Sequence, residues 1–215
     1  MKLSFIGHGN VGGALADSLQ RAGFEVSVAS DNALSENSRA LKKLNRDISF
    51  KVPQDALSEA DIVFLAVPFS ALSDVLARHR TLLRHKIIVD CTNPVGPGLN
   101  HGLRSQQSGA AWIQGELSDA KVVKAFSVYG FENFSYESMT AAAGFRPAMF
   151  FCGENAAAKK TVADLLLKLG WDPVDVGGID QALHLEHLTL MWIKMVRMGG
   201  ASNRTMWARV DGGKK

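Results

Sequence analysis

The stretch Leu3-Ser4-Phe5-Ile6-Gly7-His8-Gly9-Asn10-Val11-Gly12-Gly13 decides the fold. A short apolar run, read as a strand, passes directly into G-x-G-x-x-G. Asn10–Ala22 follows as a helix, with Val11, Leu15, Ser18 and Ala22 on one side. Strand, glycine turn and helix in that order is the arrangement that holds a dinucleotide. Gly7 permits the tight turn, Gly9 lets the backbone approach a pyrophosphate without a Cβ in the way, and Gly12 lets the helix pack close to the strand. The helix terminus then presents free N–H groups and a partial positive charge of about +0.5. The plain alternative is a turn merely rich in glycine; the strand before it and the helix after it decide against that.

Outward from the turn, short apolar runs alternate with helical stretches. Glu25–Ala29 reads as a second strand, with Gly23 stopping the helix before it. Asn32–Leu44 reads as a helix, and Ile48–Val52 as a short strand ended by Pro53. Asp61–Val67 is apolar almost throughout, as expected of a strand buried on both faces of a parallel sheet. Ala71–Arg80, Lys86–Asp90, Gln107–Leu117 and Lys121–Phe126 continue the alternation. The implied class is α/β, a Rossmann-type doubly wound parallel sheet. Gly130–Arg146 has no readable period, and the domain boundary is expected there. Residues 1–146 would form the nucleotide-binding domain. Residues 147–215 would form a smaller α/β or helical extension, with strands at Pro147–Cys152 and Pro173–Val176 and helices at Asn155–Leu169 and Asp180–Met198. That last helix is too apolar to be exposed all round. Part of it is expected against the Rossmann domain or in a homodimer interface.

In open α/β sheets a ligand lies beyond the carboxyl ends of the strands. The second strand ends in Ser30-Asp31-Asn32, where a carboxylate accepts from a ribose 2′-OH and a cation suits a 2′-phosphate. Asp31 opposes a phosphate, Ser30 and Asn32 serve either cofactor, and Arg39, Lys42 and Lys43 read as a solvated helix face. The residues leave NAD and NADP both open. Two further turns, Ala66-Val67-Pro68 and Thr92-Asn93-Pro94, follow later strands and are expected near the nicotinamide. His8 sits inside the phosphate turn, where it could donate to the cofactor, face its nicotinamide end, or simply be exposed to solvent. Cys91 has no readable base beside it and is read as a small buried residue. His184 and His187, at i and i+3 beside Glu186, share a helix face, but no third ligand is evident, so an ordinary helix face is preferred to a metal site. Met191, Met195 and Met198 beside Trp192 read as core or dimer seam, or as a soft wall against a flat ring.

Composition narrows the function classes. The chain has 215 residues, 47% hydrophobic and 21% charged, which excludes a disordered or fibrous protein. Ile62 to Phe69 is the longest apolar run and is far short of the roughly 20 residues a membrane span needs. With 24 Lys plus Arg against 21 Asp plus Glu and no long basic block, there is no nucleic-acid footprint. The opening residues are glycine-broken too soon for a signal peptide. Two cysteines alone argue against a disulfide framework. A soluble cytoplasmic protein with a small-molecule substrate is the expectation.

The three turns, together with Phe151-Cys152-Gly153-Glu154-Asn155 through Asp175-Val176-Gly177-Gly178, resemble the NADP oxidoreductase, coenzyme factor 420-dependent family. The oxidoreductase domain of the STEAP metalloreductases is similar. The resemblance implies a Rossmann domain with a smaller C-terminal part, and hydride exchange between a nicotinamide and a deazaflavin or flavin. It implies that Gly7, His8, Gly9, Asn10 and Val11 hold the pyrophosphate and that Ser30 meets the 2′-phosphate. Val67, Pro68, Thr92, Asn93 and Pro94 would lie near the nicotinamide. Asp31 and Asn32 stand where the archaeal members carry two arginines.

Hydride transfer between stacked rings demands no protein acid or base, so no general acid is assigned. Two rival readings stand beside it. One is a small carbonyl or imine reductase, which needs a proton donor. The other is a dinucleotide-sensing module without turnover.

Overall fold

The structure, a computed structural model, describes residues 1–135 and 146–212. Tyr136 and Phe145, two aromatics of the unreadable stretch, lie outside the described residues. The first half runs β1 (Lys2–Ile6), α1 (Asn10–Arg21), β2 (Glu25–Ala29), α2 (Glu36–Leu44), β3 (Ser49–Lys51), α3 (Pro53–Glu59), β4 (Ile62–Leu65), α4 (Leu72–Leu83) and β5 (Ile87–Asp90). A two-strand hairpin, β6 (Val95–Gly96) and β7 (Asn100–His101), leads to α5 (Gly109–Glu116) and β8 (Lys121–Lys124). After the undescribed segment come β9 (Ala148–Gly153), α6 (Ala156–Lys168), β10 (Asp172–Asp175) and α7 (Ala182–Arg197).

Eight of these strands form one sheet in the order β10-β9-β8-β5-β4-β1-β2-β3. From β3 to β8 every pairing is parallel. The expected doubly wound Rossmann sheet is therefore present. Its C-terminal part adds to the same sheet rather than building another: β9 pairs with β8 antiparallel, Lys124 opposite Cys152, and β10 runs parallel to β9. Strand direction leaves no mark on an apolar run, because the side-chain period is two either way.

Helices cover both faces. Ile62 and Phe64 of β4 face a core built with Leu15 and Leu19 of α1, Val162 and Leu165 of α6, and Trp192 of α7. Val63 and Leu65 face a second core with Leu57 of α3, Leu76 of α4 and Ile113 of α5. Burial on both faces is why β4 reads as unbroken apolar sequence. Each large apolar side chain so enclosed contributes about 1.5–3 kcal/mol.

Two local expectations are corrected. The helix expected from Asn32 begins only at Glu36, because Asn32 and Ser35 divert the backbone into a turn and cap. The Asn32 side-chain oxygen accepts from the Leu34 N–H at 3.0 Å, and the Ser35 hydroxyl accepts from the Ser38 N–H at 3.2 Å. Pro53 does more than end a strand. It occupies the first turn of α3, where its missing N–H costs nothing. The last helix does bury one side against the sheet, through Leu185, Glu186, Thr189 and Trp192.

Candidate dinucleotide site and the cluster behind it

Because β1, β2, β4 and β5 are parallel, all of their carboxyl ends lie along one edge. The glycine turn sits at its centre. Gly7 has φ +94°, and a Cβ there would lie 2.5 Å from the Ala66 carbonyl oxygen, so only glycine fits between the two turns. A Cβ at Gly12 would lie 2.1 Å from the Gly7 oxygen, which shows how closely α1 is pressed onto the turn. At Gly9 a Cβ would meet nothing within 4 Å. Gly9 caps α1 in an extended conformation with no side-chain hydrogen bond, and Asn10, Val11 and Gly12 form the first helical turn. Their N–H groups have no partner within the helix. This is a cradle that a side chain would fill, open where a pyrophosphate needs it. A cavity of about 520 Å³ adjoins it along α1 and α2, with His8, Gly9, Asn10 and Leu41 in its wall.

The His8 ring packs toward β3 and α2. Its Nε2 lies 2.8 Å from the Ser38 hydroxyl, and its ring stands edge-on to Phe50 at 5.6 Å. Burial pushes its pKa below the ordinary imidazole value. At the end of β2, the Ser30 hydroxyl accepts from the Asn32 N–H at 3.2 Å. The Asp31 carboxylate lies 3.7 Å from the Arg78 guanidinium of α4. Sequence reading did not single out Arg78, which comes from 47 positions downstream in sequence and arrives only through the β4–α4 crossover. Lys42 is engaged elsewhere, donating to the Arg46 and Ile48 carbonyls.

At the other side of the edge, Ala66 and Val67 pack on Gly7, and Pro68 leads into a short 3-10 turn. The Thr92 hydroxyl and N–H both donate to Asp90 Oδ1, at 2.7 and 2.9 Å. The Pro94 carbonyl accepts from the Gly102 N–H. The Asn93 side-chain N–H donates to the Ser127 carbonyl at 3.0 Å. Its Oδ1 and the Ser127 hydroxyl are buried without a protein partner among the described residues. An acceptor and a hydroxyl left over at this strand end suit a ligand amide. The structure thus brings together Gly7, Ala66 and Val67, and places Asp90 at the end of the neighbouring strand β5 with Thr92, Asn93 and Pro94 in the turn after it. It leaves Ser30, Asp31 and Asn32 at the β2 end.

Behind the Thr92 turn lies a buried charged cluster. Lys124 Nζ spends its three donors on Asp90 Oδ2 at 3.0 Å, Glu186 Oε1 at 3.1 Å and the Thr92 carbonyl at 2.8 Å. Lys124 and Asp90 are fully buried. Burial works against the Lys124 ammonium, but Asp90 and Glu186 outweigh it and hold its pKa above the ordinary range. Glu186 also accepts from the Gly109 N–H at the start of α5 and lies 2.8 Å from His101 Nε2. Glu186 is therefore no ordinary helix face, and among the described residues no cluster can hold a metal. The signal available in sequence was a lysine inside an apolar run, Val122-Val123-Lys124-Ala125-Phe126. Cys91 and Cys152 are buried and free. Burial pushes the Cys91 thiol well up, and that of Cys152 to about 12.

With this geometry in place, comparison with known proteins gives a consistent result. Residues 2–94 match the family model described as NADP oxidoreductase coenzyme F420-dependent. The rat metalloreductase STEAP3 is 28% identical over 192 residues, covering 88% of this chain and 36% of its own. This chain thus spans about a third of the length of that relative. The crystal structure of a "putative f420 dependent nadp-reductase" from Arthrobacter sp. FB24 superposes with a TM-score of 0.83 at 27% identity, covering 94% of this chain and 96% of its own. An imine reductase from Myxococcus stipitatus in complex with NADP+ reaches 0.63 at 22% identity, covering 93% of this chain and 63% of its own, a likeness of fold alone. The glycine turn, the Ala66–Pro68 turn and the Thr92–Pro94 turn all fall inside or at the limit of residues 2–94, and for that part of the chain the resemblance to the NADP oxidoreductase, coenzyme F420-dependent family is shown.

Proposed function

We propose that this chain is an oxidoreductase that binds NADP(H) along the strand ends and exchanges hydride with a flat acceptor of deazaflavin or flavin type. The observation that carries the reading is the open Gly9 cradle in line with the buried, unpartnered Asn93 Oδ1 on the same sheet edge. Gly7, Gly9 and the first turn of α1 would hold the pyrophosphate, and Val67, Thr92, Asn93 and Pro94 would border the nicotinamide. A bound nicotinamide supplies the hydride, so the chain's own work is to bind, to orient and to exclude water. The Ser30 hydroxyl and the Arg78 guanidinium favour a 2′-phosphate at the β2 end, where Asp31 alone would oppose one. The free buried thiols suit a reducing compartment, and we place the activity in the cytoplasm.

The test is a paired calorimetric titration with NADPH and NADH at fixed salt, followed by turnover with flavin and deazaflavin acceptors. The expected result is NADPH binding at least tenfold tighter, about 1.4 kcal/mol, and oxidation of NADPH by a flat acceptor. Equal binding would overturn the NADP assignment. Tight binding without transfer to any acceptor would leave a sensing module. A protein-derived pKa in the pH–rate profile would instead favour carbonyl or imine reduction.

A further inference from the structure

The buried cluster behind the Thr92 turn is larger than holding a turn requires. It unites residues from four separated elements: Asp90 of β5, His101 of β7, Lys124 of β8 and Glu186 of α7. Every polar atom has a partner, and the hydrogen bonds settle its charge. His101 Nδ1 accepts from the backbone N–H groups of Leu103 at 3.3 Å and Ser105 at 3.2 Å, so that nitrogen carries no proton. The ring is then the neutral tautomer whose Nε2–H donates to Glu186 Oε2. Two carboxylates face one ammonium, leaving an excess of one negative charge. The N-terminal N–H groups of α5 at Gly109 and Ala110 temper it in part.

This excess lies directly against the turn assigned to the nicotinamide. Thr92 touches the cluster through its hydroxyl, its N–H and its carbonyl. The nicotinamide ring is neutral in NADPH and carries a positive charge in NADP+. We infer that the Asp90–Lys124–Glu186–His101 cluster is an electrostatic positioning device that favours the oxidised, cationic nicotinamide over the reduced one at the Thr92–Pro94 turn. The inference rests on the nicotinamide assignment of that turn and adds a role for the charged residues Asp90, Lys124 and Glu186 behind it, with His101 as their neutral partner. All four side chains are buried behind the turn. Acting through Thr92 and through space, they would set how readily the bound cofactor gives up hydride. A buried charge is screened little by salt, so the bias would persist at physiological ionic strength.

The experiment is calorimetric titration of the intact protein with NADP+ and, separately, with NADPH, for the native chain, Glu186→Gln and His101→Gln. Glu186→Gln removes the excess charge while keeping the side chain's shape. It is expected to weaken NADP+ relative to NADPH by on the order of five- to fifteenfold, the size of effect that one unit charge exerts over about 10–15 Å at an effective dielectric of about 20. His101→Gln loses a ring but no charge, and is expected to leave the ratio unchanged. Should Glu186→Gln fail to fold, Asp90→Asn removes the same charge and is read in the same way. A ratio unchanged in the charge-removing variant overturns the inference, as does an equal shift in His101→Gln, which would mark the cluster as purely structural. If the native chain binds neither nucleotide, the assignment of function fails instead.

Discussion

At the scale of single residues, the glycine turn makes two opposite demands in neighbouring positions. Gly9→Val adds a side chain where the protein has nothing within 4 Å. The expected outcome is a near-native melting temperature with NADPH affinity reduced at least a hundredfold, read by circular dichroism and calorimetry. Gly12→Ala drives a Cβ to 2.1 Å from the Gly7 oxygen, and is expected to lower stability by several kcal/mol. If the two variants behaved alike, the division between approach and packing would be wrong. Arg78 supplies a second residue-level test. Arg78→Ala is expected to weaken NADPH about tenfold and leave NADH unchanged, whereas an equal loss for both would place Arg78 outside the 2′-phosphate region. His8 supplies a third. Burial lowers its pKa in the folded chain, so the unfolded chain takes up the proton first as pH falls through 6.5. Stability should therefore decline as pH falls below about 6.5, and the decline should be shallower in His8→Gln. His79, lowered for the same reason and by Arg78, accounts for part of what remains. An identical slope in the variant would remove His8 as a contributor.

Among elements, α2 shows how a polar run was misread and why. Asn32 to Ser35 lies ahead of a helical pattern and looks like its first turn, but Asn and Ser compete for backbone hydrogen bonds and favour caps. Ser35 caps α2 through the Ser38 N–H, and Ser38 in turn meets His8. Ser35→Ala is expected to cost about 1 kcal/mol, measured by urea unfolding, and to loosen His8. No change in either would mean that the cap is idle. Strand existence was legible because apolar runs between turn residues are local. The reversed direction of β9 was not, since it follows from which edge of the sheet is free when that segment arrives. The same holds for the helix opened by Pro53, where strand stop and helix start use one residue.

Taken whole, the molecule rests on two cores separated by the sheet, and α7 closes one of them with Trp192. The opposite edge of α7 leaves Met191 and Met198 exposed, and no described helix is long and apolar enough to cross a membrane. We propose a second copy of the chain as the partner of that edge. Sedimentation at micromolar concentration is expected to show a homodimer that Met191→Lys dissociates, and a monomeric native chain would overturn it.

What the sequence determined by itself was local: the strand–turn–helix around Gly7 to Gly12, the alternation that specifies a doubly wound sheet, and the strand ends at Ser30, Ala66 and Thr92. Each depends on contiguous residues whose conformational preferences act over a turn or two. What only the tertiary structure decided was which distant charges meet. Asp31 finds Arg78 across a crossover, and Lys124 finds Asp90 over 34 positions. His101 finds Glu186 over 85. No local propensity records such partners. The two buried pairs are selected because a charge in the core is tolerated only where the fold supplies a partner, whereas the exposed Asp31–Arg78 pair follows from where the crossover delivers α4.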